Sequence, residues 1–151
     1  MPHLLEQIAY EAALRALDKQ EAVVADVRAR TGVLLGAASI ATSFLAQATT
    51  SRVFFVSALA SFVVLVAASV RVLLPSPRFE FALRGSVVYV RLFGTRHDAE
   101  EIYRELLYEV DALWKRNDSG LRPLLRSYRL AGLALTVEIL SLVLLATGTI
   151  A

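Results

Sequence analysis

The sequence predicts an all-α integral membrane protein: an N-terminal cytosolic helix continuing into a transmembrane hairpin, a small cytosolic insert, and a third transmembrane helix. Three observations predict it. Apolar runs at Thr31–Ala48, Val53–Leu74 and Leu130–Ala151 approach or exceed the roughly 20 residues that a helix needs to cross a bilayer core. Charge is segregated: the first run has none, the second only Arg71 and the third only Glu138, although charged residues make up 20% of the chain. Hydrophobic residues reach 56%, more than a soluble domain of this size ordinarily carries. These features divide the chain into residues 1–30, 31–74, 75–129 and 130–151.

Positive charge sets the expected orientation. Arg15, Lys19, Arg28 and Arg30 precede the first run, and ten of the 16 Lys and Arg residues lie in Pro75–Arg129. The connection Thr49–Arg52 holds only Arg52, and the C-terminal run ends without a basic residue. An excess of Lys and Arg on cytoplasmic loops then predicts a multi-pass protein of the cell's inner membrane. Its N-terminus and central segment are expected in the cytoplasm, with its C-terminus outside. Acidic residues scattered through Met1–Arg30 do not read as a secretory signal.

The first 30 residues predict one helix running unbroken into the first span. Leu14, Leu17, Val24 and Val27 recur at helical spacing, and Glu11–Arg15 and Asp26–Arg30 are i,i+4 pairs of opposite charge. Such a helix either packs on the cytosolic insert or membrane surface, or acts as a lever on the first span. After the second run, Pro75 and Pro77 end the helix. Alternation through Phe79, Phe81 and Leu83, then Val88, Val90 and Leu92, predicts a short β-hairpin about Arg84-Gly85-Ser86. A helix capped by Thr95 or Asp98 follows, with an apolar stripe of Ile102, Leu106, Val110, Leu113 and Trp114. Asn117-Asp118-Ser119-Gly120 predicts its stop, and Pro123 suits the first turn of the last helix.

Glu138 is the most conspicuous residue, because an ionisable group inside a span is costly and marks a functional site by default. Its depth predicts Ser39, Thr42 and Ser69 as hydrogen-bond partners. The cluster either fixes helix packing or belongs to a pore, gate or proton path. Gly32 and Gly36 form a GxxxG, and Ser57 and Ser61 begin a similar ridge of small residues. Such ridges let helices approach closely, within the hairpin or between copies, and a homo-oligomer is expected. Arg116, Arg122, Arg126 and Arg129 precede the third run; they suit anionic headgroups or the phosphate of a soluble nucleotide.

Enzymatic chemistry is not expected. His3 and His97 are far apart, there is no cysteine, and neither metal-ligand spacing nor a phosphate-binding GK[ST] loop occurs. No metal or resident cofactor is therefore predicted. Ten basic against eight acidic residues in Pro75–Arg129 disfavour nucleic acid as a partner.

The order of parts resembles the small membrane effectors of the Pycsar antiphage system and the related SLATT group. The resemblance is carried by Asp26-Val27-Arg28-Ala29-Arg30-Thr31-Gly32 before the first run and Leu74-Pro75-Ser76-Pro77-Arg78 after the second. Leu92-Phe93-Gly94 ahead of the acidic helix adds to it. The third run, with Glu138, is more membrane-like than a two-span effector requires. The resemblance implies a partner pyrimidine cyclase, cyclic CMP or cyclic UMP as activating ligand, and inner-membrane disruption that causes abortive infection. The alternative is a non-enzymatic scaffold or accessory subunit that docks a partner through Ile102, Leu106 and Trp114. A proton-coupled transporter using Glu138 is a third reading.

Overall fold

The computed structural model describes residues 3–44, 52–75, 79–82 and 99–148. Three helices account for nearly all of them: α1 (His3–Ser43), α2 (Arg52–Leu73) and α3 (Ala99–Gly148). The chain divides into two compact units. One comprises Met1–Val24 with Ser76–Arg122, the other Ala25–Pro75 with Pro123–Ala151, so α1 and α3 each contribute to both.

α1 is the unbroken helix that the N-terminal periodicity predicts. Glu6 in its first turn complements the helix dipole. Along its exposed side, Glu11 pairs with Arg15 at 3.5 Å and Asp26 with Arg30 at 2.9 Å. In the first unit, Leu17 and Val110 are buried, and Tyr10 and Tyr103 meet with ring centroids 5.9 Å apart. Gln20 Nε2 donates to the Trp114 carbonyl at 3.3 Å. These contacts set the N-terminal part of α1 alongside α3 in parallel.

Two expectations for the insert are corrected. No strand occurs among the described residues, so the hairpin over Phe79–Phe93 is not supported; residues 83–98 lie outside the described residues. Residues 79–82 are non-helical and dock on α3 instead. Asn117, 1% exposed, meets the backbone of Glu80. Its Nδ2 donates to the Glu80 carbonyl at 3.0 Å, and its Oδ1 accepts from the Glu80 amide at 3.2 Å. Phe79 and Phe81 stack with centroids 5.7 Å apart, and the Phe79 ring lies over Gly120. A Cβ on that glycine would meet Phe79 Cε1 at 3.2 Å.

That docking also explains why no helix stop occurs at Asn117–Gly120. Asn and Gly favour turns when their side chain or backbone competes with the helix; here both face a partner and the helix continues. α3 runs 50 residues through this tetrapeptide and through Pro123, although proline forfeits one backbone hydrogen bond. Tertiary contacts override local propensity.

The second unit is a three-helix bundle built on small residues. Ala38 of α1, Leu65 and Ala68 of α2, and Ala131 and Ala134 of α3 form its core, flanked by Leu34, Leu35, Phe62 and Leu135. Ala58 and Leu145 make a second cluster with Phe54 and Leu142. These pairings set α2 antiparallel to α3. Alanine at the contacts permits the close backbone approach that favours association in lipid.

Two helices among the described residues are long and apolar enough to cross a membrane: Arg52–Leu73 and the apolar portion of Glu100–Thr147. Only 22% and 28% of their most apolar windows are buried, so most of their greasy surface faces outward, unlike the core helix of a soluble protein. Val56, Leu59 and Val63 of α2 and Leu133, Leu140 and Val143 of α3 are among the exposed side chains. A count of three spanning helices is not supported. The first expected run, Thr31–Ala48, is described only as far as Phe44, and no window of α1 among the described residues is long and apolar enough to count as a span.

Candidate functional site

The bundle carries polar side chains in an otherwise apolar interior. Their relative heights follow from its contacts. The Thr42 hydroxyl and Glu138 Oε1 lie 2.6 Å apart, which levels α1 with α3. The Ser57 and Ser141 hydroxyls lie 3.1 Å apart, which levels α2 with α3. At about 1.5 Å rise per residue, Arg52 stands roughly 12 Å to one side of Glu138 and Arg71 roughly 17 Å to the other. Glu138 is therefore near the middle of the charge-free stretch.

Glu138 is 0% exposed. The Thr42 hydroxyl, which has one hydrogen, lies within reach of two acceptors: Glu138 Oε1 at 2.6 Å and the Ala38 carbonyl at 2.8 Å. Glu138 Oε2 has no hydrogen-bond partner. One turn further along α3, Ser141 is 5% exposed and meets Ser57, while Ser61 Oγ donates back to the Ser57 carbonyl at 2.8 Å. Together these residues form a polar seam across α1, α2 and α3.

Of the three partners expected for Glu138, Thr42 alone touches it. Ser39 is exposed and donates to the Leu35 carbonyl of its own helix at 2.9 Å. Ser69 is 0% exposed, with its hydroxyl unpartnered. The Ser57–Ser141 register puts it about 14 Å below Glu138 along the bundle. Ser141 is the seam residue that sequence reasoning missed, although it lies three residues after Glu138 on the same helical face.

Gly32 and Gly36 open onto space, with nothing within 4 Å of an added Cβ; Thr31, Leu34, Leu35 and Ala38 turn inward instead. Ser57 and Ser61 border a groove of about 360 Å³ between α2 and α3, whose other walls include Ala60, Val64, Leu133 and Ala134.

The four arginines proposed for phosphate fall in different surroundings. Arg116 is exposed and pairs with Glu80 at 3.6 Å, and Arg122 pairs with Asp118 at 2.7 Å, both in the first unit. Arg126 and Arg129 belong to the second unit and are exposed, with no ion pair among the described residues. Of the residues considered for partner docking, Ile102 and Leu106 are half-buried and Trp114 is exposed. Among the described residues, no group of three or more His, Cys, Asp or Glu is placed to hold a metal.

No family model, curated protein or solved structure matches the chain.

Proposed function

We propose that the chain is a membrane effector that acts by permeabilising the bilayer in which α2 and the C-terminal part of α3 reside. The buried Glu138–Thr42 contact carries this reading. A carboxyl group in hydrocarbon is expensive and is retained where it faces a bundle interior or an aqueous path. A bundle held at that level by Thr42–Glu138 and Ser57–Ser141 keeps its polar groups inward in the resting state. Rearrangement, within one chain or between copies along the Ser57–Ser61 groove, would turn the same groups toward water.

The trigger belongs to the resemblance. A cyclic pyrimidine nucleotide made by a partner cyclase would act on the unit formed by residues 1–24 and 76–122, whose Lys and Arg residues, against the single Arg52 of the connection between α1 and α2, favour the cytoplasmic side. A ligand shifts such an equilibrium only by binding the permeable state better. This reading makes the chain a non-enzymatic component of antiphage defence. Its outcome is abortive infection.

The test is co-expression with a pyrimidine cyclase while membrane potential is recorded. Depolarisation and growth arrest are expected with the active cyclase, and neither with a catalytically dead one. A potential that stays unchanged with abundant cyclic CMP and cyclic UMP contradicts the proposal. Stable crosslinking through Trp114 to another protein, indifferent to nucleotide, would instead favour the scaffold.

A further inference from the structure

The bundle's ends differ in charge, and the helix registers bring arginines distant in sequence to one level. On α3, Arg129 and Arg126 lie about 14 and 18 Å from Glu138, at 1.5 Å per residue. On α1, counted from Thr42, Arg30 and Arg28 lie about 18 and 21 Å away in the same direction. On α2, counted from the Ser57–Ser141 contact, Arg71 lies at about 17 Å. Five arginines from three helices thus share a slab about 8 Å thick. In the second unit the opposite end carries Arg52 as its one basic residue, and Asp26 is its only acidic residue besides Glu138.

The slab is also short of internal partners. Arg71, Arg126 and Arg129 are exposed and have no ion pair among the described residues. Arg28 is half-buried, and its Nε is enclosed without a hydrogen-bond partner. Arg30 alone is committed, to Asp26 at 2.9 Å; that hydrogen bond, with a smaller contribution from Tyr128, raises its pKa above the ordinary arginine value. Guanidinium groups grip phosphate oxygens in a planar, bidentate manner. Along α2, Arg52 and Arg71 stand about 29 Å apart, close to the roughly 30 Å of bilayer hydrocarbon. The arginine slab then coincides with one headgroup layer.

We infer that Arg28, Arg71, Arg126 and Arg129 form a collar that binds the phosphodiester headgroups of anionic phospholipids. The ligand chemistry is a phosphate monoanion, and the height of the collar assigns it to lipid rather than to free phosphate. The inference rests on the bilayer placement in the proposed function and not on its trigger. It is read without any cyclase, so either can fail alone.

The experiment uses the full chain in a neutral detergent, titrated with dioctanoyl phosphatidylglycerol, dioctanoyl phosphatidylcholine or inorganic phosphate, with thermal shift as the readout. Phosphatidylglycerol is expected to stabilise the chain and phosphatidylcholine to leave it unchanged. Each surface guanidinium contributes on the order of fivefold in affinity for an anionic surface. Combining Arg71→Gln, Arg126→Gln and Arg129→Gln should therefore weaken phosphatidylglycerol binding on the order of a hundredfold, while Arg52→Gln leaves it unchanged. Should the triple variant misfold, Lys at the same three positions keeps the charge. It should bind phosphatidylglycerol more weakly than the parent chain and more tightly than phosphatidylcholine. Equal response to the two lipids overturns the inference, as does undiminished binding by a folded triple variant. Stabilisation by inorganic phosphate matching that by phosphatidylglycerol also overturns it, in favour of a soluble ligand.

Discussion

Replacing Asn117 with Ala should release the Phe79–Ala82 segment from α3. The wild-type side chain is 1% exposed and makes both a donated bond of 3.0 Å and an accepted bond of 3.2 Å to the backbone of Glu80. A neutral hydrogen bond is worth about 1 kcal/mol net, so the pair contributes roughly 2 kcal/mol to docking. Glu80 is half-buried, which lets water replace part of what is lost and keeps the cost from rising further. At about 1.4 kcal/mol per tenfold, exchange of the Glu80 amide with solvent deuterium should accelerate roughly thirtyfold if exchange proceeds through local undocking. Amides around Leu17 and Val110 should keep their protection, because they lie in the core between α1 and α3. Asn117→Asp should behave similarly: it retains the acceptor but replaces the donor with an oxygen facing the Glu80 carbonyl. An unchanged Glu80 exchange rate in Asn117→Ala would refute the claim that this amide holds the segment in place.

Three further outcomes follow from the packing. Gly120→Ala should be nearly neutral, since a gain of up to about 1 kcal/mol in helix propensity opposes a methyl group placed 3.2 Å from Phe79 Cε1. Gly120→Leu should undock Phe79, read as loss of the same amide protection. A double-mutant cycle of Ser57→Ala and Ser141→Ala, followed by unfolding in mixed micelles, should give a coupling of about 0.6 kcal/mol; zero coupling would mean that the 3.1 Å contact is unimportant. Thr42→Val removes the hydroxyl beside Glu138 and leaves neither carboxyl oxygen partnered. It should destabilise the bundle by about 1–3 kcal/mol, and by less in a Glu138→Leu background, where no polar group is left stranded.

The apolar runs were legible because hydrocarbon imposes a length and a composition that a linear sequence displays directly. Val53–Leu74 and Leu130–Ala151 correspond to the two helices that meet those demands, and the N-terminal periodicity showed α1. What the sequence misled about is local chemistry recruited for tertiary contact. Asn117 and Gly120 have the composition of a turn, yet one satisfies the backbone of Glu80 and the other receives the Phe79 ring. The alternation at Phe79 and Phe81 suggested a strand; residues 79–82 are instead non-helical, and the backbone of Glu80 meets a side-chain amide on a helix. At the site, depth arithmetic along α1 and α3 levelled Ser39 with Glu138, whereas the residue that meets the carboxyl group is Thr42, three positions further on. It failed for Ser69 because α2 runs the other way, and its register depends on a contact, Ser57–Ser141, with no signature along the chain. Arg126 and Arg129 were legible as partners for headgroups, but their common level with Arg28 and Arg71 was not, these residues being up to 101 positions apart in sequence, from Arg28 to Arg129.

If α2 and the C-terminal part of α3 cross a bilayer, Glu138 sits near its middle, between Arg129 on one side and Arg52 on the other. The chain has no cysteine, so single cysteines can be introduced at Arg52, Arg129 and Val137, the last being 47% exposed beside Glu138. Each would carry a nitroxide in reconstituted vesicles, with collisions with oxygen and with a water-soluble nickel chelate measured by electron paramagnetic resonance. The Val137 label should show the highest oxygen and lowest nickel accessibility, and the labels at Arg52 and Arg129 the reverse. A Val137 label as open to nickel as the one at Arg129 would contradict that placement.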